Sequence, residues 1–108
     1  MSLRPLTSEE RSSALAKAAQ ARTIRAEAKG RVKSGLVTLS ELFDQADTVE
    51  ALSRLRVTEL LEALPGIGPV RAESIMARVG ISATRRIRGL GIHQRRALID
   101  LLENVPSN

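Results

Sequence analysis

Two short stretches of the chain combine residue types suited to holding a phosphate. The first is Leu64-Pro65-Gly66-Ile67-Gly68-Pro69-Val70-Arg71-Ala72. Pro65 stops whatever helix precedes it. Gly66 and Gly68 allow tight-turn backbone angles and leave no side chain in the way of a close approach. Ile67 between them is apolar and should pin the turn to the interior. Pro69 suits the first position of a new helix. The free N–H groups of that helix, and the positive end of its dipole, then face the turn, which makes a ready anion site. Arg71 falls in the same first turn, where a cation slightly destabilises an isolated helix. It is better placed beside a bound phosphate. The second stretch is Thr84-Arg85-Arg86-Ile87-Arg88-Gly89-Leu90-Gly91. Arg85, Arg86 and Arg88 lie on a glycine-bounded loop just before a helix expected to start at Ile92. Gly91 leaves that helix start open, and Arg95 follows in its first turns. Guanidinium groups suit bidentate phosphate contacts and insertion into a narrow minor groove.

Elements that position these stretches can be placed from helical periodicity, which recurs along the chain, while strand-like alternation is not found. Thr7 with Glu10 forms a capping box that opens a long helix from Ser8 to about Lys33, stopped by Gly35. At about 1.5 Å per residue it would be roughly 39 Å long. Arg11, Arg22, Arg25, Lys29 and Lys33 fall on one face, and Ala14, Ala21, Ile24, Ala28 and Val32 on another. The apolar face is mostly alanine, so only the C-terminal half should be anchored. Thr38 with Glu41 opens a second helix through Ala46, with Leu39, Leu42 and Phe43 inward. Thr48 is expected to cap a turn or two over Val49–Leu55. Further helices are expected over Val57–Leu64, Pro69–Val79 and Ile92–Leu102, the last burying Ala97, Leu98, Leu101 and Leu102. The stretch Ser82–Gly91 shows no apolar period and reads as a loop. The expected fold is all-α: a long N-terminal helix, then a compact bundle of four or five short helices that contains a helix–hairpin–helix-like motif.

Composition supports one domain of 108 residues, with a long, basic, partly exposed N-terminal helix over 1–35 and a compact helical core over 36–108. Of the 30 Leu, Ile, Val and Phe residues, 25 lie from Leu36 onward, which places the core there. The net charge of +5 is unevenly spread: residues 1–36 carry +5, 37–64 carry −4, 65–96 carry +6 and 97–108 carry −2. Two basic blocks flanking an acidic middle point to a polyanionic partner. Without cysteine, disulfides and thiolate metal sites are excluded. No apolar run approaches a membrane span, and no signal-peptide core precedes the first helix, so a cytoplasmic protein is expected. His93 is the only histidine, and carboxylates do not cluster near it, so neither a metal site nor a cofactor is expected. Asp44, Asp47 and Glu50 read as a solvated acidic face. Nucleophile-elbow, Walker and dinucleotide fingerprints are absent. With Phe43 as its sole aromatic, the chain lacks platforms for base stacking, which argues against single-strand binding.

The hairpin pattern, with Ser74-Ile75-Met76 following it, resembles the helix–hairpin–helix and helix–two-turn–helix modules of DNA-repair proteins and of a small-subunit ribosomal protein. The order of parts is similar to the actinobacterial integration host factor family, which is unrelated in fold to the two-subunit β-arm proteins of the same name. The resemblance is carried by the Ala/Arg-rich first helix opening at Leu6-Thr7, by Leu60-Leu61-Glu62-Ala63-Leu64-Pro65, and by Gly68, Ala72, Ile75 and Met76. Thr84-Arg85-Arg86 with Arg88-Gly89-Leu90-Gly91, and Gln94-Arg95 with Ala97-Leu98, complete it. It implies a nucleoid-associated, non-enzymatic protein, monomeric in solution, that binds double-stranded DNA with little sequence preference and bends or compacts it. It also implies a role in phage integration, with an integrase–DNA complex as a further partner. The residues expected at DNA are Gly66, Gly68, Arg71, Arg85, Arg86, Arg88, Gly89, Gly91 and Arg95, together with Arg22, Arg25, Lys29 and Lys33 of the first helix. Position 69 departs from the family pattern, which has Lys where this chain has Pro. Two other readings stay open. One is an accessory RNA-binding module like the ribosomal protein. The other is a repair module, for which a catalytic lysine is poorly supplied, since Lys17, Lys29 and Lys33 all lie in the first helix.

Overall fold

A computed structural model describes residues 5–103. The outermost parts of the expected domain, residues 1–4 and 104–108, lie outside the described residues. The described chain is all-helical: α1 (Ser8–Ser34), α2 (Leu39–Ala46), α3 (Glu50–Ser53), α4 (Val57–Ala63), α5 (Pro69–Val79), a 3-10 turn (Ile87–Gly89) and α6 (Ile92–Leu102).

Local sequence explains the ends of these helices. Thr7 and Glu10 exchange bonds across the first turn of α1, with Glu10 N–H donating to Thr7 Oγ1 at 3.1 Å and Thr7 N–H to Glu10 Oε1 at 3.3 Å. Thr38 and Glu41 repeat the arrangement at α2. There the Thr38 main-chain amide, and after it the hydroxyl, hold the Glu41 carboxyl below its ordinary pKa. Gly35 and Gly80 close α1 and α5, and the next residues, Leu36 and Ile81, donate back to Arg31 O and Met76 O at 2.9 and 2.8 Å.

The core is a continuous apolar cluster. α2 supplies Leu39, Leu42, Phe43 and Ala46; α4 supplies Val57, Leu60 and Leu61; α5 supplies Ala72, Ile75 and Met76. Leu52, Leu55, Ile81, Ile87, Leu90 and Leu98 complete it, and α1 adds only Ala28 and Val32. The face of α1 expected to be apolar is thus buried only in its C-terminal half. Ala14 is exposed, and residues 11–20 are exposed throughout. The glutamate at the end of α6, Glu103, accepts a bond from Leu39 N–H and ties the last helix to α2.

Three expectations need correction. Thr48 does not cap the third helix. Its hydroxyl donates to Gln45 O at 3.3 Å, Val49 takes the cap position, and α3 is a single turn. On α6 only Leu98 is fully buried, with Ala97, Leu101 and Leu102 half-buried. The Ser82–Gly91 loop is more ordered than its lack of periodicity implied. Ile87 N–H donates to Leu55 O at 3.0 Å and Val57 N–H to Arg85 O at 2.9 Å, forming an isolated antiparallel bridge between Arg56 and Arg86. These bonds span about thirty residues of sequence, so no local pattern announces them.

Candidate nucleic-acid interface

The turn between α4 and α5 is built as the sequence suggested, with the two glycines playing different parts. Gly66 has φ +78°, the left-handed region, so the turn needs glycine there. Gly68 has φ −92° and ψ −177°, extended backbone open to any residue. Its glycine is therefore not a backbone requirement, and a Cβ built on it meets nothing within 4 Å. Ile67 is half-buried and packs against the core, anchoring the turn. Gly68 stands at the N-cap of α5 and Pro69 at its first position, and no side chain caps this end. The amides of Val70 and Arg71 are left to face outward, and Arg71 is exposed beside them.

The start of α6 is only partly open. Gly91 is its N-cap, but Gly91 N–H already donates to Gln94 Oε1 at 3.1 Å, while Gln94 Nε2 donates to Gly80 O at 3.2 Å. The amides of the first turn beyond Gly91 have no capping side chain. Arg95 turns toward the end of α2. Its guanidinium pairs with Asp47 at 2.9 Å and lies 5.5 Å from the centroid of the Phe43 ring. With its side chain 22% exposed, it braces α6 against α2.

Arg85, Arg86 and Arg88 do not form one patch. Arg85 folds back, donating from Nη1 to Gly89 O at 2.8 Å. Arg86 reaches Arg54 O at 3.5 Å and lines a groove along α1. Arg88 lines a separate recess that meets the groove at Glu50, with Asp47 and Arg95. Ile87 between them is fully buried.

The groove along α1 is the feature that segment-by-segment reading missed. About 910 Å³ in volume, it runs between α1 and the α3–α4 corner. Lys17, Arg22, Arg25, Arg54, Arg56 and Arg86 line it, with Glu50 and Glu59 as its only acids. Arg25 is oriented by a bond from Nη1 to Ala51 O at 3.4 Å. Both acids are engaged, Glu50 with Arg54 at 2.8 Å and Glu59 with Lys29 at 4.0 Å. Of the first-helix cations expected at DNA, Arg22 and Arg25 line the groove. Lys29 leans on Glu59, and Lys33 is exposed beyond it.

The chain matches the model of the S13-like H2TH domain over residues 32–102. It is 49% identical over 100 residues to the integration host factor of Mycolicibacterium smegmatis, covering 93% of this chain and 95% of the relative. The integration host factor of Streptomyces coelicolor is 50% identical over 94 residues, covering 87% and 88%. The chain belongs to the integration host factor family. A solved structure of sIHF bound to an 8 bp palindromic DNA is similar with a TM-score of 0.74 and 48% identity, covering 76% of this chain and 92% of that one. The groove joins cations from both basic blocks to two arginines of the acidic middle. Arg54 and Arg56 went unnoticed because their segment sums to −4. Their spacing of two residues, at a break between short helices, was the signal available.

Proposed function

We propose that residues 1–108 act as one duplex-DNA-binding unit, a non-enzymatic architectural protein of the nucleoid that grips the phosphate backbone and bends or compacts DNA. The observation that carries this reading is the unbalanced groove, lined by six cations and two acids, with one of the six, Arg54, paired to Glu50 and the other acid, Glu59, paired to Lys29 outside the lining. Concentrated positive charge of this kind is neutralised by a phosphate backbone and gives binding with little base preference. The open start of α5 adds main-chain donors for a further phosphate. No described helix is long and apolar enough to cross a membrane. Assistance to phage integration, through an integrase–DNA complex, is the cellular role this activity would serve.

The test sets a labelled mixed-sequence DNA duplex against unlabelled duplexes of DNA and RNA. Duplex RNA hides its major groove and displays 2′-hydroxyls in a wide minor groove, so it should compete at least about tenfold less well than DNA. Equal competition by RNA would favour the accessory RNA-binding module instead.

A further inference from the structure

Taking the reading that this loop meets DNA, we infer that Arg85 is a positioning residue: a latch folded across Gly89 that fixes the directions in which Arg86 and Arg88 leave the loop. The loop main chain is fastened to the core at two points, through Arg85 O to Val57 N–H at 2.9 Å and Ile87 N–H to Leu55 O at 3.0 Å. Beyond Ile87 the backbone is held within the 3-10 turn, by Gly89 N–H to Arg86 O at 2.9 Å and Leu90 N–H to Ile87 O at 3.0 Å. The Gly89 carbonyl is held by the Arg85 side chain, from Nη1 at 2.8 Å. Arg86 and Arg88 emerge between these fastenings and on opposite sides of Ile87.

Residue 89 bears on the same contact. Gly89 is not among the positive-φ glycines, so its backbone does not demand glycine. A Cβ there would stand 2.8 Å from Arg85 Cδ, so the flexible Arg85 side chain would have to move aside. Alanine at 89 would therefore displace the stem of Arg85, which lies over this glycine. The arginine and the glycine form one device, and Arg85 is half-buried where Thr84 and Arg86 are exposed. One of the five N–H donors of this guanidinium is taken by a carbonyl of its own loop, which fixes where the group lies.

A double-mutant cycle in the full chain tests this, reading duplex affinity at fixed salt alongside thermal melting. Arg85→Ala and Gly89→Ala should each weaken binding several-fold while melting stays close to wild type. Because both break one contact, the double variant should be no weaker than the poorer single variant. Side-chain Nε signals give a second readout. On DNA addition those of Arg86 and Arg88 should shift, and that of Arg85 should not. Gly89→Ala should alter the Arg85 signal in the free protein, a readout that survives if Arg85→Ala fails to fold. Losses that multiply in the double variant, or an Arg85 signal that shifts on DNA, would overturn the latch and make Arg85 a direct contact. A wild-type protein that binds no duplex would instead overturn the functional reading beneath it.

Discussion

Gly66 and Gly68 look alike in the sequence and differ in the structure. Gly66 is left-handed, and alanine there costs about 1–2 kcal/mol of backbone strain. At roughly 4–8 °C per kcal/mol for a domain of this size, Gly66→Ala should lower the melting temperature visibly. Gly68 is extended with open space around its missing Cβ. Gly68→Val loses a favourable N-cap residue and should lower melting modestly, but it should weaken duplex binding more, because the branched side chain stands between a phosphate and the Val70 and Arg71 amides. Retained binding with an intact fold would reduce the hairpin to a plain turn. The loop arginines make a second residue-scale prediction. Lysine keeps the charge of Arg86 and Arg88 but loses the planar fork. Arg86→Lys with Arg88→Lys should reduce both affinity and bending in a paired gel-shift and bending assay, and alanine at both sites should reduce them further with the helical circular-dichroism signal kept. The two side chains line separate recesses that meet at Glu50. Full retention by the lysine variant would mean the loop contributes charge alone. The sequence singled out these glycines and arginines by type and spacing. Their separate roles depend on φ and on contacts with residues 54–57, which no local pattern encodes.

Among the elements, α1 is the least anchored by its own composition. Its described residues up to Gln20 bury no side chain, and the cations within that stretch are Lys17, on the groove wall, and the exposed Arg11. Deleting residues 1–20 should change stability by less than about 1 kcal/mol, the ordinary range for surface changes. Affinity should fall moderately, because Arg22 and Arg25 remain. Collapse of the fold on this deletion, followed by circular dichroism, would contradict a core built around α2, α4 and α5. Helix limits were the most legible part of the architecture, since capping pairs such as Thr38–Glu41, stops such as Gly80 and the start at Pro69 are written locally. α5 and α6 run over the expected residues. The face of α1 turned to the bundle was legible only in part. Ile24, Ala28 and Val32 mark it by period, but the arginines beside them gave no sign that Arg54 and Arg56 would stand opposite.

For the molecule as a whole, the relevant quantity is how many cations meet phosphate at once. If about six do so, log affinity should fall against log salt with a slope of roughly −5. A slope shallower than about −2 across the physiological salt range would rule out backbone binding as the main source of affinity. The polyanion partner was legible from the charge blocks, which alternate +5, −4, +6 and −2 along the chain. Where the charge gathers was not, because the fold draws Arg54 and Arg56 out of an acidic segment and sets them beside Arg86, through a bridge joining residues thirty apart.

The partly open start of α6 has a consequence for how far this protein can be made heat-resistant. Gly91 adopts φ −73° and ψ 162°, nearly the conformation of Thr38, φ −79° and ψ 164°, which caps α2 with its hydroxyl. A Cβ on Gly91 finds only Gln94 Oε1, at 3.9 Å. Gly91→Ser would thus fit without strain and supply a cap, raising stability by a few tenths of a kcal/mol. It would also occupy amides that phosphate would otherwise use, so the same variant should melt slightly higher and hold DNA less tightly. Any programme that selects variants for thermal endurance alone would favour such substitutions and drift toward a sturdier helical bundle that no longer does its work.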